Sequence, residues 1–199
     1  FQREREAQLA GLREDNDDVL EWARRLHRAT VFGEHGYAHD SYGTEADLDA
    51  LTLDALKAHR DALLTSGNAV LAVTGQFDEA AVLPQLRALL DGLPAGVAPA
   101  IPAPPGAIAS SGREVMRRDC EQAIVLRGFL DAGIRSEGYL ASEVLDELLS
   151  GMASRLFMKV REEQGLAYYV TATRMVGLDV GLFTVYAGTA ADKVPAVEA

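Results

Sequence analysis

Ser154 to Tyr169 reads SRLFMKVREEQGLAYY, a helix with a sharp stop and a strand directly behind it. Ser154 suits an N-cap, and Leu156, Phe157 and Val160 recur at helical spacing. Gly165 stands where a left-handed residue would close the helix. The next residues, Tyr168 to Thr173, alternate as a strand does. Arg161 then falls in the last helical turns and Tyr168 at the strand's start, so a cation and a phenol converge near one point. The same spacing also fits a solvated Arg and a half-buried Tyr at an element junction.

Downstream, the GLFTVYAGT run from Gly181 to Thr189 reads as a second strand, paired in a hairpin with the first across Val176 to Val180. Upstream, Glu137 to Leu149 reads as a helix with Leu140, Val144, Leu145 and Leu148 on its buried face. Ala123 to Leu130 and Arg113 to Asp119 read as strands. Between Leu93 and Gly112 the chain carries Pro94, Pro99, Pro102, Pro104 and Pro105 among Ala, Gly and Ser. This composition favours an extended, polyproline-like connector over packing.

Ahead of the connector the pattern is helical. Phe1 to about Phe32 is charged throughout, with a break at Asp15 to Asp18 that would cap a second helix. GEHGYAHDSYG, from Gly33 to Gly43, reads as a loop. His35 and His39 lie four apart in it beside Glu34 and Asp40, a metal-like spacing only if the segment were helical, which the flanking glycines disfavour. Thr44 and Asp47 form a capping box, and Thr52 caps a helix to about Leu64, with Leu53, Leu56, His59 and Leu63 on one face. AVLAVTG, Ala69 to Gly75, reads as a strand buried on both sides. Asp78 caps a helix that sends Val82, Leu83, Leu86, Leu89 and Leu90 inward and contains Pro84.

The stretch SRLFMKVREEQGLAYYV, followed by GLFTVYAGT, resembles the second-domain segment of the M16 family of zinc metallopeptidases, which includes pitrilysin, insulinase and the processing peptidases. GTEADLDALTLDALKAHRDALLTSGNAVLAVTGQFDEAAVLPQL resembles the close of that family's first domain, without the usual Tyr-x-Pro before the Asn. The resemblance covers nearly the whole chain. It implies an α+β fold with helices packed on one face of a mostly antiparallel sheet. It also divides the chain into 1–93, the closing half of a first domain, 94–112, a linker, and 113–199, the opening half of a second. In competent family assemblies an Arg and a Tyr seven residues apart bind substrate and stabilise the oxyanion; Arg161 and Tyr168 stand at that spacing.

Family enzymes hold zinc through His-x-x-Glu-His plus a distal Glu, and this sequence has no such pentad. His27, His35, His39 and His59 have neither the spacing nor the partner. In the family's register the distal Glu falls seven residues after Glu4, at Gly11, which has no ligand atom; a slip of three would place Glu14 there. No cofactor is therefore expected in this fragment, while zinc is expected in the complete assembly. The resemblance suggests the non-catalytic member of a pair. Its implied partners are a zinc-bearing M16 domain or subunit and a peptide substrate, with a domain-swapped homodimer as a further possibility. The alternative is a structural homologue with no part in peptide hydrolysis.

The formal net charge of −11 lacks the basic footprint that nucleic acid requires. No apolar run is long enough to span a bilayer, so no membrane partner is expected. Cys120 is the single cysteine, which excludes an internal disulfide and leaves the compartment open, periplasmic or cytoplasmic. Phe1 lies inside a helical pattern and Ala199 at the start of another, so both ends read as cuts.

Overall fold

The computed structural model describes residues 1–101, 103 and 112–199. The polyproline-like character expected of the connector falls in part on residues 102 and 104–111, outside the described residues. Two compact units emerge, Phe1–Glu6 with Thr44–Pro102, and Ala7–Gly43 with Ala103–Ala199. The α+β class and the antiparallel sheet match the expectation from sequence.

In the first unit, α3 (Glu45–Ala50), α4 (Leu53–Leu63) and α5 (Glu79–Asp91) each start at a side-chain cap. Thr44 and Asp47 form the expected box: the Thr44 hydroxyl accepts from the Asp47 amide and the Asp47 carboxylate accepts from the Thr44 amide, both at 3.1 Å. Thr52 and Asp78 accept from Ala55 and Ala80 amides. Two expectations fail here. Ala69 to Gly75 forms no strand, and Val70 is 96% exposed. An apolar run becomes a strand only when a neighbour takes up its amides and carbonyls, and among the described residues none does. The inward set expected of α5 is also only partly inward, because Leu83 and Leu89 are exposed while Val82, Leu86 and Leu90 are half-buried.

The second unit is built on β1 (Ala123–Ala132), β2 (Tyr169–Met175) and β3 (Val180–Thr189). β3 lies between the others and pairs antiparallel with both. Arg113 to Asp119 was expected to be a further strand and is not; these residues are exposed and without ladder bonds among the described residues. The centre of the sheet belongs to β3 alone. Leu182, Phe183, Thr184 and Ala187 of β3 are buried. Ala167, Val170 and Ala187 make an apolar cluster against Leu156, Val160 and Val197, the last from α7 (Val194–Glu198).

The helix α1 (Gln2–Asp17) breaks before α2 (Val19–Phe32) where the acidic run suggested, since Asp18 accepts from the Leu20 and Glu21 amides at 2.8 and 3.0 Å. α2 lies against β1 at a point that admits no side chain. A Cβ on Gly128 would stand 2.3 Å from Nε2 of His27. That nitrogen is buried without a hydrogen-bond partner among the described residues.

The helix α6 (Tyr139–Leu149) sits with its expected face reversed. Leu140, Val144, Leu145 and Leu148 are all exposed, and Tyr139, Ser142, Asp146 and Leu149 are the half-buried residues instead. Arg174 of β2 meets the helix on this side. Its side chain is 3% exposed, Nε donates to Asp131 of β1 at 2.5 Å, Nη1 donates to Glu143 of α6, and its guanidinium carbon lies 5.2 Å from the Tyr139 ring centroid. A buried cation needs polar partners, and α6 supplies Glu143 and the Tyr139 ring.

Two measurements check this packing. Arg174→Met should lower stability by about 3 to 5 kcal/mol, because Asp131 is left buried and unpaired, whereas Arg174→Met with Asp131→Leu should lose much less; urea unfolding reads both. Gly128→Ala should cost about 1 to 3 kcal/mol by forcing α2 from β1, with Gly36→Ala, which meets open space, as the control. The same contact has a pH signature. Burial holds the His27 pKa below its ordinary value of 6.5. The unfolded chain therefore binds the proton first, and the contribution is full above pH 6.5 and falls as pH drops from there toward the folded-state value. A urea midpoint that declines on acidification through this window should lose that part of its slope in His27→Gln.

Candidate functional site

The segment from Ser154 builds the site. The Ser154 hydroxyl accepts from the Phe157 amide at 3.1 Å, the capping role its position suggested. Phe157–Glu163 then forms a π-helix, here π1, where the periodicity suggested an ordinary helix. Wide turns of this kind recur at functional sites because they re-aim side chains without ending the helix. Gly165, at φ +60°, ends it as expected, with its own amide donating to Arg161 O and the Leu166 amide to Val160 O at 3.1 and 3.0 Å. These bonds satisfy the last carbonyls of the helix and turn the chain straight into β2.

Arg161 lies on the wall of a groove between α2, π1 and the start of β2. The groove is open to solvent, offers about 380 Å³ and is lined by Leu20, Met152, Phe157, Tyr169, Thr171 and Tyr186, among others. The Arg161 guanidinium carbon stands 4.7 Å from the Phe157 ring centroid, and the side chain is 43% exposed. Its Nε is 3.7 Å from Glu162, longer than a hydrogen bond.

Tyr168 does not line this groove. Its amide donates to Gly188 O at 2.8 Å, which fixes it beside β3, and its ring is 57% exposed. Adjacent residues of an extended chain point to opposite sides, so Tyr169, not Tyr168, shares the groove with Arg161. The sequence reading overlooked Tyr169. The doubled tyrosine of LAYY was the available signal, since one of any such pair must face each way.

Tyr169 and Tyr186 meet edge to face at 6.1 Å, on diagonal positions of β2 and β3. Arg24 of α2 donates to the Tyr186 hydroxyl at 2.6 Å, packs over the ring at 4.7 Å and pairs with Glu21 at 2.6 Å. Burial raises the Tyr169 pKa, and nearby Tyr186 adds to the effect against the opposing Arg24. The Tyr169 phenol therefore stays a protonated donor at neutral pH.

Zinc does not fit the histidines present. Among the described residues no three His, Cys, Asp or Glu side chains are grouped to hold a metal. His35 Nδ1 accepts from the Tyr37 amide at 3.1 Å to cap the short 3₁₀ turn Gly36–Ala38, and its Nε2 lies 3.0 Å from Ala103 O. His27 is pressed against Gly128, and His59 is on α4. At Gly11, in α1, nothing stands within 4 Å of where a Cβ would be. The purified chain, dialysed against metal-free buffer after zinc loading, should retain no stoichiometric zinc by elemental analysis, and stoichiometric retention would contradict this.

A family model described as the Peptidase M16 inactive domain matches residues 50–199. An uncharacterized zinc protease of Streptomyces coelicolor is 34% identical over 198 residues, covering 96% of this chain and 43% of the relative. An uncharacterized zinc protease of Bacillus subtilis is 29% identical over 170 residues, covering 85% of this chain and 41% of the relative. The chain thus spans less than half the length of the curated relatives it matches. Among solved structures, a peptidase M16 inactive domain from Pseudomonas fluorescens superposes with a TM-score of 0.86 at 24% identity, over 98% of this chain and 48% of that one. A conserved protein from Enterococcus faecalis superposes at 0.71 with 26% identity, over 94% and 44%.

Proposed function

Because the chain belongs to the peptidase M16 inactive-domain family, we propose that it is a segment of a zinc-dependent peptidase that carries no zinc of its own. It contributes substrate and transition-state contacts through Arg161 and Tyr168, and another domain or subunit supplies the metal. The observation that carries this reading is Arg161 itself. Its guanidinium is propped on Phe157 and remains 43% exposed on a groove wall, which leaves planar donors available to a peptide carbonyl as negative charge develops there. Tyr168 offers a second exposed donor seven residues on. Peptide is the substrate class that such donors serve.

In the same reading residues 1–93 close a first domain, 94–112 link, and 113–199 open a second. The exposed Ala69–Gly75 run and the outward leucines of α6 are surfaces that further chain, or a second copy in a swapped dimer, would cover. A second reading is a non-catalytic scaffold. Gly11, with no ligand atom, favours it as much as it favours an inactive partner.

Turnover separates the two. With the zinc-bearing partner present, Arg161→Ala and Tyr168→Phe should each reduce peptide hydrolysis by about a hundredfold. Both residues are exposed, so the melting temperature should barely move. Unchanged turnover, or a loss that only follows lost folding, assigns the chain to the scaffold class.

A further inference from the structure

We propose that a second groove, between α2, the end of α1 and the 3₁₀ turn Gly36–Ala38, binds the C-terminal residue of a peptide. Its carboxylate would lie on Arg25 and Arg28 and its apolar side chain against Trp22. This groove shares no lining residue with the one at Arg161, and the proposal stands independently of the catalytic reading above.

Two sides of α2 are in use. Arg24 and His27 meet the sheet, at Tyr186 and Gly128. Trp22, Arg25 and Arg28, three residues apart, follow one another along another side with Leu26 beside them, and with Asn16 and Asp40 they line a groove open to solvent of about 310 Å³.

Charge selects the occupant's head. One Asp40 oxygen accepts from the Tyr42 amide at 2.9 Å. The other lies 3.6 Å from Arg25 Nε and 3.6 Å from Arg28 Nη2, both longer than a hydrogen bond. Arg25 also donates to Asn16 at 2.9 Å, which orients its fork, whereas Arg28 Nε is buried with no hydrogen-bond partner among the described residues. Two half-buried guanidiniums thus share one carboxylate that bonds neither, and one positive charge is left over for an incoming anion. A carboxylate matches that single charge. A phosphate dianion exceeds it and is opposed more strongly by the net charge of −11.

The apolar wall selects the rest. The Arg118 guanidinium carbon stands 5.7 Å from the Trp22 ring centroid and is itself 3.9 Å from Asp17 through Nη2, so the indole is held from one side and faces the groove with Leu26. Trp22 and Arg25 are one helical turn apart, about 5 to 6 Å between Cβ atoms, so carboxylate and apolar group must belong to one residue of the ligand. The last residue of a peptide carries both on the same Cα. An internal Asp or Glu has its carboxylate in place of the apolar group, and a free amino acid adds an ammonium that Arg25 and Arg28 repel.

The experiment uses Trp22, the single tryptophan, as reporter. Its fluorescence and its indole N–H signal by NMR are followed together as the whole chain is titrated with acetyl-leucine, acetyl-leucine amide, acetyl-aspartate α-amide, free leucine or inorganic phosphate. Acetyl-leucine should shift the reporter saturably and the other four should bind at least about tenfold more weakly. Arg28→Gln should weaken acetyl-leucine binding by about tenfold or more. Asp40→Asn, which keeps an acceptor for the Tyr42 amide and removes the competing charge, should tighten it several-fold, an outcome that a merely structural role for Asp40 does not produce. The amide spectrum away from the groove reports that each variant is folded. No saturable change in either signal with acetyl-leucine overturns the proposal, as does equal binding of its amide or of free leucine. Preference for the aspartate amide assigns the groove to an internal acidic side chain, and preference for phosphate assigns it to inorganic anions; each overturns the chain-end assignment. Weaker binding in folded Asp40→Asn also overturns it.

Discussion

Arg174 imposes the constraint on which much of the second unit depends. A guanidinium 3% exposed, on the edge strand β2, must find anions and carbonyls nearby. It takes Asp131 from β1 and Glu143 from α6, so one side chain ties together two strands and a helix. The side of α6 that faces this network carries Tyr139 and Asp146, both half-buried, and Asp146 is the awkward member. One Asp146 oxygen is buried with no hydrogen-bond partner among the described residues, and its pKa is raised, chiefly by burial, despite the pull of Arg174.

The hairpin of β2 and β3 places everything else. With β3 central, residues of β2 alternate between the apolar cluster at Val170 and the groove at Tyr169 and Thr171. The π1 turn then brings Arg161 to the groove wall, and Gly165 lets the chain reverse within two residues. The loop after α2 closes the far end of the hairpin, where the Leu178 amide donates to the Tyr37 hydroxyl at 3.2 Å and a Cβ on Gly177 would collide with that ring.

Local signals were legible in the sequence because they depend on neighbours in the chain. The Asp18, Thr44, Thr52, Asp78 and Ser154 caps, the Gly165 stop and the two late strands are of this kind. What could not be read depends on distant partners. Ala69–Gly75 has the composition of a buried strand, but a strand also needs a neighbour. The leucines of α6 have the spacing of a buried face, but the periodicity carries no trace of a buried arginine 31 residues further on in β2. At the site, Arg161 and Tyr168 were singled out by spacing and resemblance. Tyr169, Tyr186 and Arg24 were missed because a cross-strand pair and a cation from α2, 162 residues from its partner, leave no local pattern.

The account places substrate contacts on a chain whose own residues do not suit zinc, so its central claim concerns where a bound peptide lies. The most direct measurement is photocrosslinking in the assembled pair. A phosphinic peptide, which mimics the tetrahedral intermediate on the partner's metal, would carry benzoylphenylalanine beside the reacting position. Mass spectrometry should then find the crosslink within residues 152–171 of this chain, and its loss on chelation of the partner's metal. Crosslinks confined to the zinc-bearing partner would contradict the account and leave this chain a scaffold.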